Sequence, residues 1–415
     1  MGMGKGKDGR IMIVGLGLLA SSWLGCQQAG LGGGDGASDA ESKSKALAKS
    51  GAAPSGVENS DTAQDPSRLA NAPVPDESAI QDLVAKDQGK AGSGAIYVSL
   101  AHLAKGGKGT QDLEVYRFGV TKILNSLSMK PEIKRLAPLD EGKTVYRVNL
   151  ADFGLTANDL NTMKRMPGAA NAVKRVGNAD VIKGDWLVFA ATRPEAYDSI
   201  MSLPNFVGIL ESELRIDRSK AVNWYVNASN VTFEKRRLER IPINIGGKPG
   251  GYYWRSYDYL AFLVAGEFFF SLPNGLQGYM LSGFAEQHRL DARSDVATDF
   301  NRPQDGLKRC VGGKQACGYV INGESCITCH ANGVRINDTI TSIKGASTEE
   351  ANRLYAQDAK RFKSAINEMG FADQGEEPVL ATLRRYKADN NVKDFRPQGS
   401  EISPTAGRGV TSRLR

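Results

Sequence analysis

Histidine is scarce. Three residues, His102, His288 and His330, serve a chain of 415, so outside any motif a histidine acid or base could only be His102 or His288. Cysteine is scarce as well, at five residues, and no two pairs stand at the spacing a structural zinc site needs. Charge of one sign does not dominate. The 53 lysines and arginines against 46 acids give a net charge of +7, without a basic stripe interleaved with aromatics, and this argues against nucleic-acid binding. The apolar and glycine run at the start, Ile11 to Ala20, falls short of the roughly 20 residues that span a bilayer. Large apolar side chains are nearly missing from Cys26 to about Lys90, which leaves that stretch unable to offset its ordering entropy by burial.

What is present is concentrated at Cys326-Ile327-Thr328-Cys329-His330. C-x-x-C-H is the attachment signature of a c-type haem. Two thiols three positions apart can each bond one vinyl group, and the histidine that follows is placed to ligate the iron from the proximal side. This makes Cys326, Cys329 and His330 the cofactor-binding residues, His330 the proximal iron ligand, and one covalent haem c the expected cofactor. The competing readings are a redox dithiol and a mixed Cys/His metal site.

The first residues agree with an exported protein. Lys5, Lys7 and Arg10 precede the apolar run, and Leu24-Gly25-Cys26 closes it, the layout of a secretory signal. Leu-Gly-Cys resembles the lipobox of bacterial lipoproteins, although Trp23 stands where that pattern has an aliphatic residue. The resemblance implies lipidation at Cys26, and Gln27 after it implies outer-membrane sorting. Simple cleavage and an uncleaved anchor are the alternatives. The remaining cysteines, Cys310 and Cys317, have six residues between them and glycine, not histidine, after the second. In an oxidising compartment they are free to form a disulfide; the alternative is two buried thiols.

Along the chain, 1–25 reads as a lipoprotein-type signal peptide and 26–92 as a disordered tether. A tether of about 60 residues has a typical reach of about 40 Å. An α+β domain follows over 93–300. There Ala95 to Leu100 reads as a strand. Leu113, Tyr116, Val120, Leu124 and Leu127 mark a helix face with Thr110 as N-cap, and Tyr146, Val148 and Leu150 alternate as in a half-buried strand. Trp186 to Ala191 reads as a strand, Pro194 as the first turn of a helix, and Asn205 to Leu214 as helical. The aromatic stretch from Trp224 to Leu281 reads as core or as a wall facing the haem. His102 reads as a surface or capping residue and His288 as part of a polar loop. A haem c region covers 301–393, with helices over Thr348 to Met369, stopped by Gly370, and from Pro378 to Lys387. A polar tail closes the chain over 394–415.

The motifs YVSLAHLAKGG, LNSLS, RVNLADFG, RLER, YYWRSYDY, FFFSLPNGLQGYML and NGESCITCHANGV resemble a family of exported bacterial proteins that carry one c-type haem late in the chain. The likeness runs from about Ile96 to Asp389. It implies shared architecture and a monohaem content. The family pattern has a histidine after the Glu-Arg of RLER, where this chain has Ile241.

The expected fold class is therefore α+β, an N-terminal strand and helix region followed by a mainly helical, cytochrome c-like haem region. The expected function is electron transfer in the bacterial envelope, with unidentified envelope redox proteins as partners, a lipid anchor in the outer membrane facing the periplasm or the cell surface, and no side-chain catalysis. A haem enzyme or gas or redox sensor with an open sixth iron position is one alternative; an envelope interaction module with a structural haem is the other. The distal ligand decides between these, and its candidates are Met369, Met280 and His288.

Overall fold

Val84 and Tyr97 bury each other from opposite sides of a small core, which brings the beginning of the described chain onto its first sheet. The helix carrying Val84, α1 (Glu77–Gln88), is capped by Asp76, whose carboxylate accepts from the Ala79 amide. This helix lies inside the stretch expected to be a tether. Its apolar positions Ile80 and Val84, spaced for one helix face, pack against Tyr97, Val181 and Val176, so the tether reading does not hold over 77–88. The structure, a computed structural model, describes residues 73–89, 94–226, 236–258, 266–283, 286–292, 320–334, 340–342, 346–371 and 376–392. The signal peptide, Cys26, Cys310, Cys317 and the polar tail lie outside them.

The first sheet takes β1 (Ala95–Ser99), β2 (Ala137–Pro138), β3 (Val145–Asn149), β4 (Val173–Val176) and β5 (Ala179–Lys183) in the order β2-β3-β1-β5-β4. Only β1 and β5 are parallel. Ile96, Val98, Tyr146, Val148 and Ile182 point from it into the main core. Between these strands run α2 (Ala101–Lys105), α3 (Thr110–Ser126), α4 (Ala157–Met163) and α5 (Ala169–Ala172). After them come α6 (Gly184–Thr192), α7 (Pro194–Met201) and α8 (Val207–Glu213). Thr110 is the first residue of α3, with Gly109 at the cap.

The segment Trp186 to Ala191 is helical, not a strand. Every residue of α6 is buried, and an uninterrupted apolar run has no period from which to tell a buried helix from a buried strand. Pro194 does begin the next helix, where its missing N–H costs nothing.

The second sheet overturns the expectation of a mainly helical haem region. Seven strands, β6 (Val222–Val226), β7 (Arg236–Ile245), β8 (Lys248–Asp258), β9 (Gly266–Ser271), β10 (Gln277–Ser282), β11 (His288–Arg289) and the late β14 (Ile340–Ser342), form one antiparallel sheet in the order β11-β10-β9-β8-β7-β6-β14. Two short strands, β12 (Asp291–Ala292) and β13 (Val320–Ile321), pair beside it. The C-x-x-C-H motif forms α9 (Glu324–Cys329), flanked in sequence by β13 and β14. The aromatic stretch is thus a sheet whose rings are buried, Trp254 and Phe269 on one face, Tyr253 and Phe268 on the other.

Two helices follow the motif. α10 (Thr348–Glu368) lies on the Trp254 face, where Tyr355 stacks on Trp254 and meets Trp224 edge-on. Asp358 of the same helix takes a bidentate pair of hydrogen bonds from Arg240 and a third from the Trp254 indole, each 2.8 Å. α11 (Pro378–Asp389) packs back on α3 and α6. At that crossing Gly119 is required, because a Cβ there would lie 2.5 Å from Thr382 Oγ1. Among the described residues no helix is long and apolar enough to cross a membrane.

Candidate functional site

The site is built on the first turn of α9, a helix of six residues. A helix so short does not persist on its own, and the residues leading into it show what holds it. Asn322, wholly buried, donates from Nδ2 to Asp198 Oδ1 of α7 at 2.6 Å. Gly323 follows with φ +80°, and a Cβ there would meet Tyr197 Cγ at 2.8 Å and the Thr192 carbonyl at 3.0 Å. Only glycine combines that backbone with that closeness. Glu324 takes a 2.6 Å ion pair from Lys387 of α11, and Ser325 Oγ accepts from the Ile321 amide at 2.9 Å. Four consecutive residues thus seat the motif against α7, α11 and β13.

Cys326 is buried and Cys329 half-buried. The Cys326 thiol lies 3.7 Å from Asn322 Oδ1 and 4.0 Å from the Ile321 carbonyl. Tyr197 and Tyr279 stand beside it, and burial first of all pushes both phenols well above their ordinary range. The Tyr279 amide donates to Tyr197 Oη at 3.0 Å, which joins α7 to the second sheet behind the thiol.

His330 ends the helix and turns toward β9 and β10. Its ring sits 5.1 Å from that of Phe269 and 5.6 Å from that of Tyr279, centroid to centroid. These two are cross-strand partners, so both project from one face of the sheet. Nδ1 lies 3.1 Å from the Gly333 carbonyl. A carbonyl only accepts, so Nδ1 carries a proton; the other ring nitrogen is Nε2. That nitrogen faces Glu267 Oε1 at 3.2 Å. One nitrogen is fixed by a backbone carbonyl, as in metal-ligating histidines, and the other is engaged by a carboxylate that has to move aside before a metal could bind there. Glu267 is partly exposed. The donor set fits a haem: two thiols one helical turn apart, an oriented imidazole and an aromatic wall. Among the described residues no group of three or more His, Cys, Asp or Glu side chains is arranged to hold a metal ion by itself.

The distal candidates are spread apart. Met280 neighbours Tyr279 in β10 and is opposite Phe268; strand alternation puts it on the sheet face away from His330. His288 is wholly buried in β11, 3.1 Å from Asp198, and is not in a polar loop. Its carboxylate partner on α7 gives the ring a reason to be inside that its polar sequence neighbours conceal. Met369 is the C-cap of α10 and is buried. It lines an open cavity of about 840 Å³ together with Ala331, Val334, Phe362, Phe118 and Lys122. Lys122 is ion-paired to Glu377 there at 2.8 Å. The cavity wall includes residues directly after His330, while the imidazole itself faces Glu267. His102 is partly exposed and bonds Asp185 at 2.9 Å, remote in sequence and role from the motif.

Nothing in the sequence marks Asp198, Glu267 or Tyr197 as neighbours of the motif. Asn322 lies inside NGESCITCH and so was within reach, but its partner is 124 residues away. No family model, curated protein or solved structure matches this chain.

Proposed function

We propose that the chain is a c-type haem-binding electron-transfer protein of the bacterial envelope, with one covalent haem. The observation that carries this is the C-x-x-C-H sequence on α9 together with His330, whose Nδ1 is bonded to a backbone carbonyl and whose Nε2 faces only the partly exposed carboxylate of Glu267 among the contacts described. Cys326 and Cys329 would hold the group by thioethers and His330 would ligate its iron. When bound, the haem supplies a one-electron ferric and ferrous couple. The protein's own part is ligation and exclusion of water: Gly333 fixes the imidazole tautomer, Phe269 and Tyr279 cover the ring, and Asn322 to Ser325 hold the thiols in place. Lipidation at Cys26, outer-membrane anchoring toward the periplasm and exchange with envelope redox proteins belong to the same reading. They rest on the N-terminal sequence.

The test is export of the full chain in a bacterium that attaches c-type haem. Haem should stay with the denatured wild-type protein on a gel and be absent from Cys326→Ala with Cys329→Ala. A wild-type band without haem, or a double variant that keeps it, would sink the proposal. Absorption and EPR spectra of the same protein in both redox states report axial ligation and so weigh an electron carrier against an open-iron enzyme or sensor. Cys26→Ser should move the protein from the membrane fraction to the soluble one with the spectrum unchanged; unaltered membrane association with normal processing counts against lipidation.

A further inference from the structure

The two thiols of the motif are not equivalent. Cys329 is half-buried, whereas Cys326 is buried, and its thiol lies 3.7 Å from the side-chain oxygen of Asn322. An amide can present either its oxygen or its nitrogen, and here the choice is fixed. Nδ2 of Asn322 is committed to Asp198 Oδ1 at 2.6 Å, so the oxygen is the end that faces Cys326 Sγ at 3.7 Å. Asp198 is itself held. It is wholly buried, and His288 Nε2 lies 3.1 Å from its other oxygen, near enough for an ion pair though off the line of a hydrogen bond. From α7 and β11 a line of four buried side chains, His288, Asp198, Asn322 and Cys326, thus converges on one sulfur. A buried amide and carboxylate are costly unless each is satisfied, so the pair has one arrangement rather than several.

We propose that Asn322, fixed by Asp198, is the positioning residue for the thioether at Cys326, and that the thioether at Cys329 forms without it. This rests on the haem reading of the motif. In the step, Cys326 adds its S–H across a vinyl double bond: Sγ bonds to one carbon, the thiol proton goes to the other, nothing leaves, and no oxidant or reductant is consumed. The S–H directed at Asn322 Oδ1 fixes the rotation of the Cys326 side chain before that addition, as a weak donor to a placed acceptor.

The test counts bonds. Wild type, Asn322→Leu and the exchange Asp198→Asn with Asn322→Asp are exported as full chains, denatured and treated with iodoacetamide. The motif peptide is then weighed to show which cysteine is alkylated. The reduced pyridine haemochrome, whose α band lies at longer wavelength when one vinyl group survives, gives the same count independently. Wild type should show no alkylated motif cysteine. Asn322→Leu should lose one of two thioethers, with Cys326 alkylated in the majority of peptides and Cys329 still bonded. The exchange variant keeps a donor and an acceptor in reversed order and should restore both bonds. Should Asn322→Leu fail to accumulate, Asn322→Ala carries the same count, with melting curves to show that it is folded.

Two thioethers in a folded Asn322 variant at the wild-type proportion would overturn the inference and leave the haem reading intact. Equal loss at Cys326 and Cys329, or loss at Cys326 not restored by the exchange, would also overturn it. A wild-type motif peptide with both cysteines alkylated would overturn the haem reading itself.

Discussion

Asp358→Ala should be among the most destabilising single changes in the chain, because it strips a buried cation and a buried indole of their shared partner at once. Arg240 places Nε and Nη2 each 2.8 Å from the two carboxylate oxygens, and the Trp254 indole donates to one of them at 2.8 Å. All three side chains are buried. Removing one member of such an ion pair leaves an uncompensated charge at a cost of about 3–5 kcal/mol. Removing both charges, in Arg240→Met with Asp358→Leu, abolishes that penalty and leaves only the indole N–H without an acceptor, about 1–3 kcal/mol. The double variant should therefore be more stable than the single one. Urea unfolding followed by tryptophan fluorescence measures both midpoints, and the slope checks that each remains two-state. A loss under about 1 kcal/mol for Asp358→Ala, or a double variant less stable than the single, would refute the claim that this pair locks α10 to the sheet.

Gly323→Ala should destabilise the fold by about 2–5 kcal/mol, the sum of a left-handed backbone at a residue with a Cβ and of overpacking against Tyr197; an unchanged melting temperature would show that the turn relaxes freely. Met369→Leu conserves volume, so stability should move by less than about 1.5 kcal/mol. If its thioether is the distal ligand, the sulfur-to-iron charge-transfer band of the ferric protein disappears, and an unchanged spectrum makes Met369 a core residue. Burial, and after it the hydrogen bond to Asp87, raises the Tyr97 phenol to about 12. Folding therefore favours the neutral phenol, a contribution complete below its ordinary value of 10.0 and lost as pH rises through about 12. Wild type should lose more stability than Tyr97→Phe over that window, and parallel pH profiles of the two would contradict it.

Segments with one wet and one dry face were legible. The three- and four-residue spacing of Leu113, Tyr116, Val120 and Leu124 became α3, the alternation around Arg147 became β3, and the acidic start and glycine stop of 348–369 became α10. Segments buried all round were not. The 184–192 run carries no solvent face to mark a period, so its sequence reads as a strand, and the density of aromatics from 224 to 281 reads as core or a haem-facing wall without showing the sheet. α1 hid for the opposite reason: two apolar side chains, Ile80 and Val84, suffice for a face that composition averages away. At the site the split is the same. C-x-x-C-H is local in sequence and could be read. The Asp198 that orients Asn322 and the Glu267 that faces His330 are 124 and 63 residues distant from their partners, and no spacing rule connects residues brought together by a sheet.

The motif helix has a further property that its sequence does not advertise. Helices of six residues are held by their surroundings, and those of α9 are contributed by three separate parts of the chain: Asp198 and Tyr197 from α7, Lys387 from α11, and Phe269 and Tyr279 from the second sheet. Each anchor is a contact between protein groups, made without the cofactor. The thiols and the imidazole are therefore placed by contacts within the fold. The same three contributions tie the N-terminal helices, the seven-stranded sheet and the C-terminal helix to one turn of backbone. A change at Asn322 or Gly323 acts first on the contact with α7, and a change at Glu324 on the contact with α11.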